Sequence, residues 1–253
     1  MTNILISEIF GPTLQGEGAL IGQPTVFVRT GGCDFRCTWC DTLYAVLPKY
    51  KDEWEPMTPV EIFEKVQELS GGVPLLVTLS GGNPALQPMA ELLRIGKKNG
   101  YRFALETQGS KHQDWFSGLD YLILSPKPPS SGMETDWKEL WKCVYGSDPL
   151  FDIVFKIVIF DDADYDYALQ VYSKYSSPSR KFYLQTGNSQ VLDDDVPQPY
   201  RTNSWDGLGH EALIATTLNR TRWLAKKVIA DRLHNVTVLP QFHTLLWGNK
   251  RGV

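Results

Sequence analysis

The chain has 253 residues, of which 42% are hydrophobic and 12% aromatic, so it can bury a sizeable core and is not a disordered protein. Its 25 basic and 29 acidic residues give a formal net charge of −4, and no run of Lys or Arg makes nucleic acid an expected partner. No apolar run approaches the length of about 18 residues that a membrane span needs, and the opening MTNILISEIFGPT is too short and polar for a signal peptide.

The chain opens with a short predicted strand, residues 4–10, and a glycine-rich loop, GPTLQGEGALIGQP. Within this loop Gln15 and Glu17 offer an amide and a carboxylate that could read the hydrogen-bonding edge of a heterocycle, although an ordinary hairpin turn is the alternative. A second strand, PTVFVRT, places Arg29 at its C-terminal end, four residues before Cys33. There its planar guanidinium could hold a substrate carboxylate, instead of lying in solvent or in a salt bridge.

Three of the four cysteines stand together in GGCDFRCTWCDT, as Cys33, Cys37 and Cys40. Thiolates at this C-x3-C-x2-C spacing are ligands for a soft metal. A structural zinc site would need a fourth ligand, and Cys143 is distant in sequence. Three cysteines would leave one iron of a [4Fe–4S] cluster open to another ligand. The spacing therefore favours an iron–sulfur cluster over a zinc knuckle or three unrelated cysteines, and the few clustered thiols indicate a reducing compartment, the cytoplasm.

Residues 44–57 are predicted to form a loop, after which a helix begins at Thr58 and ends at Gly71-Gly72. Thr58 is the expected N-cap, with Pro59 in the first turn and Glu61 completing a capping box. The apolar positions expected to face the core are Val60, Phe63, Val66 and Leu69.

The next strand, LLVTL, leads into residues 80–84, SGGNP, and is predicted to turn directly into a helix that reaches about Lys98. Free backbone N–H groups at such a junction could bind an anionic group. The strand YRFALET contains Glu106 near its end, where a carboxylate either caps a turn or faces the active end of a parallel sheet. The stiff loop SPKPPS carries Lys127, which is either solvated or able to bind a carboxylate.

Downstream, a helix near residues 135–146 contains Cys143, predicted to be a small core residue. The strand DIVFKIVIF carries Lys156 inside an apolar run, so this lysine is either a charge at a strand edge or a site residue with a partner. A helix and the strand KFYLQT follow, then a polar segment over residues 189–207 that is predicted to be mobile and a helix near 208–233. The last segment, PQFHTLLWGNKRGV, is expected to pack because of its apolar residues.

The predicted strands alternate with helices or loops and lie near residues 25–30, 75–80, 102–106, 120–125, 153–160, 182–186 and 236–240. This alternation predicts an α/β fold with right-handed crossovers, and the polar motifs follow the strand ends, as at the catalytic face of a barrel. We therefore expect residues 1–253 to form a single domain, an incomplete (β/α) barrel of six or seven mostly parallel strands whose C-terminal tail closes the active site.

The cysteine motif, with Trp39 before its last cysteine, resembles the radical S-adenosylmethionine superfamily, in which the cluster cleaves S-adenosylmethionine to a 5′-deoxyadenosyl radical. Six segments in order along nearly the whole chain, FGPTLQGEG, VRTGGCDFRCTWCDT, SGGNP, LETQG, SPKPPSS and LPQFHTLLWGNKRGV, are similar to the 7-carboxy-7-deazaguanine synthase family. The resemblance implies contraction of 6-carboxy-5,6,7,8-tetrahydropterin to 7-carboxy-7-deazaguanine with loss of ammonia, on the path to queuosine and other 7-deazapurines. It also implies Mg2+, a homodimer and an electron donor such as flavodoxin or ferredoxin.

The resemblance also assigns site residues position by position. The cluster ligands are Cys33, Cys37 and Cys40, and Thr42 matches a magnesium-binding threonine. The S-adenosylmethionine contacts that it assigns are Trp39, Asp41, Gly82, Ser125, Pro126, Lys127 and Gln185, and the substrate contacts are Leu14, Gln15, Gly16, Arg29 and Ser80. From the residues themselves we add Cys40, Thr186, Gly187 and Asn188 to the expected cofactor contacts, and Glu17 and His243 to the expected substrate contacts. The candidate catalytic residues, Glu106 and Lys156, likewise come from their strand positions and not from the resemblance. Ser80 stands where the family more often has Thr, and Asn83 where the superfamily usually has Glu.

Two other functions remain open at this stage. A radical-forming activase acting on another protein would need an open face for a protein loop, whereas the LQGEG loop and Thr42 favour a small, enclosed substrate. A non-catalytic iron–sulfur or zinc-binding module would bind metal without cleaving S-adenosylmethionine. For Thr42 itself, the alternative to a magnesium ligand is a residue that caps the following turn.

Overall fold

A computed structural model describes residues 2–146, 152–188, 210–248 and 250–252. The strands are β1 Ile4–Leu14, β2 Pro24–Thr30, β3 Glu55–Met57, β4 Leu76–Gly81, β5 Arg102–Thr107, β6 Tyr121–Leu124, β7 Asp152–Ile159, β8 Lys181–Thr186 and β9 Val236–Leu239. The helices are α1 Pro59–Leu69, α2 Ala90–Lys98, α3 Trp137–Tyr145, α4 Asp162–Tyr175, α5 His210–Ala230 and α6 Phe242–Trp247. The predicted loop over 189–207 lies outside the described residues, within which no helix combines the length and apolarity needed to cross a bilayer.

The strands form one sheet that does not close, in the order β3-β1-β2-β4-β5-β6-β7-β8-β9. From β2 to β9, leaving out β3, neighbouring strands run parallel, and these seven are the seven predicted strands. The incomplete barrel is therefore confirmed. Two antiparallel strands extend the sheet beyond these seven: β1, which contains the strand predicted over residues 4–10, and β3, which was predicted to be loop.

Strand β1 is longer than predicted, because it continues through Gly11-Pro12 to Leu14. The pairing with β2 shifts between Phe10 and Thr13, which is a bulge that absorbs the interruption without ending the strand. At Gly11 φ is +124°, a conformation that residues with a side chain rarely adopt. The start of the predicted glycine-rich loop is thus strand, and its QGEG segment begins directly at the strand end.

The parallel strands present two chemically different faces. One face packs against the helices and is apolar and fully buried; it includes Val77, Leu79, Phe103, Leu105, Leu122, Leu124, Phe155 and Ile157. Each such side chain contributes about 1.5–3 kcal/mol on burial. The opposite face carries a small apolar cluster, formed by Leu20, Leu76, Ala104, Ile123 and Val154. Beyond that cluster, toward the carboxyl ends of the strands, the same face carries polar residues.

Helix α1 has the predicted capping box, since Thr58 Oγ1 accepts a hydrogen bond from the Glu61 N–H (3.3 Å) and the Glu61 carboxylate accepts one from the Thr58 N–H (2.7 Å). Its buried face contains Ile62 in place of the predicted Val60, which is 39% exposed. Side chains two positions apart point about 200° apart around the axis of a helix, so Val60 cannot share a face with Ile62.

Two other local predictions were wrong. Residues 84–86 form only a short 3-10 helix and α2 begins at Ala90, because Pro88 forces Gln87 into an extended conformation that interrupts the helix. The segment 44–57, predicted to be a loop, contains 3-10 turns and ends in β3. The three residues of β3 become a strand because they pair with β1, a partner far away in sequence.

Candidate active site

The carboxyl ends of the strands open into a cavity of about 530 Å3, a size suited to small ligands. Sixteen residues predicted to be functional line it, namely Leu14, Gln15, Gly16, Glu17, Arg29, Cys33, Cys37, Trp39, Cys40, Asp41, Thr42, Ser80, Gly82, Glu106, Lys127 and His243. The chain therefore brings residues from β1, β2, β4, β5 and the C-terminal tail around one space.

The three motif cysteines are free thiols on the wall of this cavity. Burial raises the pKa of Cys37 to about 11 and that of Cys40 to about 12, so a metal must displace their protons on binding. Three thiols that form no disulfide and face one cavity fit the three-cysteine ligand set of a [4Fe–4S] cluster. Among the described residues, no group of three His, Cys, Asp or Glu side chains forms a site for a single metal ion.

The loop that carries the three cysteines, residues 31–42, is called the cysteine loop, and it lies directly on the end of β4. A Cβ added at Gly82 would overlap the carbonyl oxygen of Gly32, so only glycine allows this approach. The Gly82 N–H donates to Thr30 O (3.0 Å) and the Asn83 N–H to Gly32 O (2.8 Å). The predicted anion site with free N–H groups is therefore wrong, because these N–H groups are already bonded to the end of β2 and to the loop that carries the cysteines.

Positive charge collects around Glu8, which the sequence analysis did not identify. One carboxylate oxygen accepts from Arg29 Nε (2.8 Å) and from the Tyr44 hydroxyl (2.8 Å), and the other accepts from Arg251 Nε (2.8 Å). The Arg251 guanidinium also lies 3.7 Å from the Tyr44 ring centroid. Burial raises the pKa of Glu8, but the charge of Arg29 and the hydrogen bonds from Arg251 and Tyr44 outweigh this effect and hold that pKa below its usual value. Two guanidinium groups share one carboxylate, which leaves a net positive charge.

Negative charge collects around Lys156, which is 2% exposed and pairs with both Glu17 and Glu106. Strand β7 lies between β6 and β8, so the strand-edge alternative for Lys156 is wrong. Glu17 also accepts a hydrogen bond from Gln241 Nε2 (2.8 Å). Burial raises the pKa of Glu17, but the charge of Lys156 outweighs this effect and holds that pKa well below its usual range. Two carboxylates share one ammonium group, which leaves a net negative charge.

The C-terminal tail lies against the loop that follows β1. The Phe242 N–H donates to Gly16 O (2.9 Å), and a Cβ at Gly16 would overlap the His243 imidazole. Lys250 and Arg251 line the cavity beyond it. The predicted packing of the tail is therefore confirmed by these backbone and side-chain contacts.

Trp39 and Lys127 lie together on the wall beside the cysteines. Trp39 Nε1 donates to Ser130 Oγ (3.0 Å), and Lys127 Nζ is 5.8 Å from the Trp39 ring centroid. Lys127 Nζ also donates to Ser125 Oγ (3.2 Å). Ser125 and Pro126 themselves are buried beneath the wall and do not line the cavity.

Thr42 does not cap the turn that follows it, because its side chain makes no capping hydrogen bond with residues 43–45. Its hydroxyl instead lies 3.7 Å from Cys40 Sγ and lines the cavity. The capping alternative is therefore wrong.

The predicted contacts over residues 185–188 lie at the end of β8 and just after it, and they do not line this cavity. Gln185 is completely buried, yet neither polar atom of its amide has a hydrogen-bond partner among the described residues. A buried amide normally has such a partner, so a polar ligand at this position would complete it. Thr186 and Gly187 are engaged by α5, since Thr186 Oγ1 lies 3.1 Å from Thr221 Oγ1 and Arg220 Nη1 donates to Gly187 O (3.1 Å).

The fold and the cysteine site define the class of protein. Residues 27–124 match the model of the Radical SAM superfamily. This match begins within β2, ends with β6 and contains all three motif cysteines. A partial parallel barrel with three free cysteines at the carboxyl ends of its strands is a radical S-adenosylmethionine enzyme, and its family implies a [4Fe–4S] cluster and S-adenosylmethionine as cofactors.

Two full-length relatives narrow the class. The 7-carboxy-7-deazaguanine synthase of Bacillus cereus is 42% identical over 257 residues, covering 100% of both chains. That of Bacillus subtilis is 44% identical, covering 99% of this chain and 98% of its own. The chain belongs to the 7-carboxy-7-deazaguanine synthase family. The structure of QueE from Escherichia coli shares the fold, with a TM-score of 0.66 at 22% identity and 95% coverage of both chains.

Proposed function

We propose that this enzyme converts 6-carboxy-5,6,7,8-tetrahydropterin to 7-carboxy-7-deazaguanine with loss of ammonia, within the biosynthesis of queuosine and other 7-deazapurines. Full-length membership of the synthase family supports this reaction. The observation that carries the proposal is the charge distribution of the cavity, with guanidinium groups around Glu8 and carboxylates around Lys156.

The carboxypterin has matching chemistry at its two ends. Its carboxylate would bind the Arg29 fork, whose hydrogen bond to Glu8 uses only Nε. Its amino-pyrimidinone end presents N–H donors, which would bind the carboxylates of Glu17 and Glu106. Arg29 pairs with Ser80 across β2 and β4, and β5 with Glu106 follows, so two strand spacings, about 10 Å, separate Arg29 from Glu106. Ser80 lies between them and offers a hydroxyl.

The candidate cofactor residues flank the same space. Cys33, Cys37 and Cys40 would hold the cluster, and Trp39 and Lys127 would contact S-adenosylmethionine beside it. When bound, these cofactors supply a radical that removes a hydrogen atom from the substrate. The protein's part is to hold the reacting carbon at the right place, where a displacement of about 1 Å can cost about a hundredfold in rate.

Gln185 is the further residue that we assign to S-adenosylmethionine, together with Thr186, Gly187 and Asn188. Its buried and unpartnered amide supports this assignment, because a polar cofactor group would complete its hydrogen bonding. Of the other assigned contacts, Ser125 would support Lys127 through their hydrogen bond, and Pro126 lies between these two residues in the loop.

A magnesium ion beside Thr42 is part of the proposal. The Thr42 hydroxyl lines the cavity and does not cap the next turn, so one neutral protein oxygen is available near the cluster. Such a ligand is sufficient because Mg2+ keeps several waters and takes substrate oxygens. Glu106 and Lys156 are proposed as catalytic residues that orient the pterin, and the tail with His243 as the segment that closes the single-domain active site.

The partners of the reaction are proposed from the family resemblance. A one-electron donor such as flavodoxin or ferredoxin would reduce the cluster, and the protein would act as a homodimer in the cytoplasm, where its thiols stay reduced. Light scattering of the purified protein tests the dimer, and reduction of the cluster by purified flavodoxin tests the donor.

Anaerobic incubation of the cluster-loaded enzyme with dithionite, S-adenosylmethionine and the carboxypterin tests the reaction. We expect the mass of 7-carboxy-7-deazaguanine and release of ammonia, both lost in Cys37→Ala. Cleavage of S-adenosylmethionine without that product would reject the proposed substrate while retaining the class. A protein that binds iron but never cleaves S-adenosylmethionine would reject both.

A further inference from the structure

The residue after the first cysteine is held by three side chains from neighbouring strand ends. Asn83 Nδ2 donates to Asp34 Oδ1 (2.9 Å), and Gln108 Nε2 donates to the same oxygen (2.7 Å). Ser110 Oγ donates to Asp34 Oδ2 (2.6 Å). These three donors follow β4 and β5, whereas Asp34 belongs to the cysteine loop. Hydrogen bonds to a charged acceptor are about twice as strong as neutral ones.

The orientation of the Asn83 amide is determined by its other partners. Asn83 is 0% exposed, and its Oδ1 accepts from the Ala85 N–H (3.2 Å) and from Thr107 Oγ1 (2.8 Å). Because a backbone N–H can only donate, the oxygen must face Ala85 and the NH2 group must face Asp34. A carboxylate in place of this amide would repel Asp34, which gives the asparagine at this position a specific role.

Gln108 links the same acceptor to the cluster ligand. Its Nε2 lies 2.7 Å from Asp34 Oδ1 and 3.6 Å from Cys33 Sγ, so one amide group contacts both. Gln108 is 6% exposed. Hydrogen bonds to the sulfurs of an iron–sulfur cluster help to set its reduction potential.

We propose that Asp34, Asn83, Gln108 and Ser110 form a clamp that positions Cys33 and, through Gln108, tunes the cluster. They are positioning residues: they orient a ligand and its hydrogen bonds, as outer partners of metal ligands commonly do. The inference concerns the cluster alone and holds for any substrate.

The first test uses Asp34→Ala, because Asp34 is exposed and its loss leaves the core intact. In the cluster-free protein we expect amide hydrogen exchange over residues 31–40 to become at least tenfold faster, and reconstituted protein to retain less than half of its iron after gel filtration. Asp52→Ala, another exposed aspartate, is the matched control and should behave like the parent. Unchanged exchange together with unchanged iron retention would overturn the clamp.

The second test separates charge from packing. Asn83→Asp changes one atom type and should loosen the loop, because its carboxylate would face that of Asp34. In the Asp34→Ala background this repulsion is absent, so adding Asn83→Asp should cause a much smaller further loss of iron than Asn83→Asp causes in the parent. If Asn83→Asp holds iron as well as the parent, the pairing with Asp34 has no positioning role. If Asn83→Asp costs the same fraction of iron in both backgrounds, the charge argument is wrong.

The third test asks whether Gln108 tunes the reduction potential of the cluster. It uses Gln108→Met, which keeps the length of the side chain and removes both N–H donors. Loss of a donor to Cys33 disfavours the more negative reduced cluster. We therefore expect about a tenfold lower reduced-to-oxidised ratio at a fixed potential, measured by EPR, which equals about 59 mV for one electron. An unchanged midpoint potential would remove the tuning part of the proposal. None of these measurements uses the pterin, so their failure leaves the proposed reaction unaffected.

Discussion

Replacement of Lys156 by Met tests the ion cluster at the inner end of the cavity. The substitution keeps the apolar stem of the side chain but leaves the carboxylates of Glu17 and Glu106 without their shared cation. Removing one partner of a buried ion pair costs about 3–5 kcal/mol. The carboxylates are 16% and 23% exposed, so we expect the lower end of this range, about 3 kcal/mol, or more than a hundredfold in the folding equilibrium.

The sign of the pH dependence follows from Glu17. In the parent its pKa is lowered, so its contribution to stability is present above the usual carboxyl range and is lost as the pH falls through the lowered value. In Lys156→Met the burial that raises the pKa of Glu17 is opposed only by His243 and by the hydrogen bond from Gln241. We therefore expect the pKa of Glu17 to rise in this variant and the loss of stability to be largest at neutral pH. The difference in stability between variant and parent should therefore narrow as the pH falls from 7 toward 5.

Urea denaturation of the cluster-free proteins at several pH values measures this difference. Lys142→Met is the matched control, because Lys142 pairs with Glu139 on the surface and its loss should leave the midpoint unchanged. The triple variant Lys156→Met/Glu17→Gln/Glu106→Gln should recover much of the stability, since no buried charge remains. Equal midpoints for Lys156→Met and the parent at pH 7 would refute the reasoning.

Three further predictions concern binding. Arg29→Lys should raise the KM for the carboxypterin at least tenfold with iron content unchanged, because an ammonium cannot form two parallel hydrogen bonds to a carboxylate. Steady-state kinetics measures this KM, and an unchanged value would exclude Arg29 as the group that binds the substrate carboxylate. Cys143→Ala should retain about four irons per chain by iron and sulfide analysis, whereas Cys37→Ala should lose them; stoichiometric zinc without sulfide would contradict the cluster. Thr42→Ala should lose most magnesium-stimulated turnover while Thr42→Ser keeps much of it, and a full magnesium response in Thr42→Ala would place the ion elsewhere.

The parallel strands were predictable because their signal is local. Segments such as LLVTL and DIVFKIVIF bury one face against helices, so apolar residues run through the whole strand. Cys143 was equally readable as a core residue, and it is 3% exposed. The interruption before α2 was also predictable, because Pro88 disfavours helical backbone at Gln87, but the continuous helix that we predicted ignored this proline.

The ion networks were not predictable, because they depend on contacts between distant parts of the chain. Lys156 in an apolar strand indicated that a partner exists, but Glu17 lies 139 positions earlier. Glu8 fits an ordinary half-exposed strand pattern in ILISEIF. It becomes important only because the antiparallel register places it beside Arg29 and the tail returns Arg251 from 243 positions away.

The open sheet has a consequence for solubility at its β3 end. A closed barrel has no free edge, whereas in the part of the chain that the structure describes β3 pairs only with β1, and its other side could template the addition of a foreign strand. Strand β3 has just three residues, Glu55, Pro56 and Met57. Pro56 has no N–H to donate, and the neighbouring glutamate adds charge, so this edge is poorly suited to intermolecular strand pairing and aggregation.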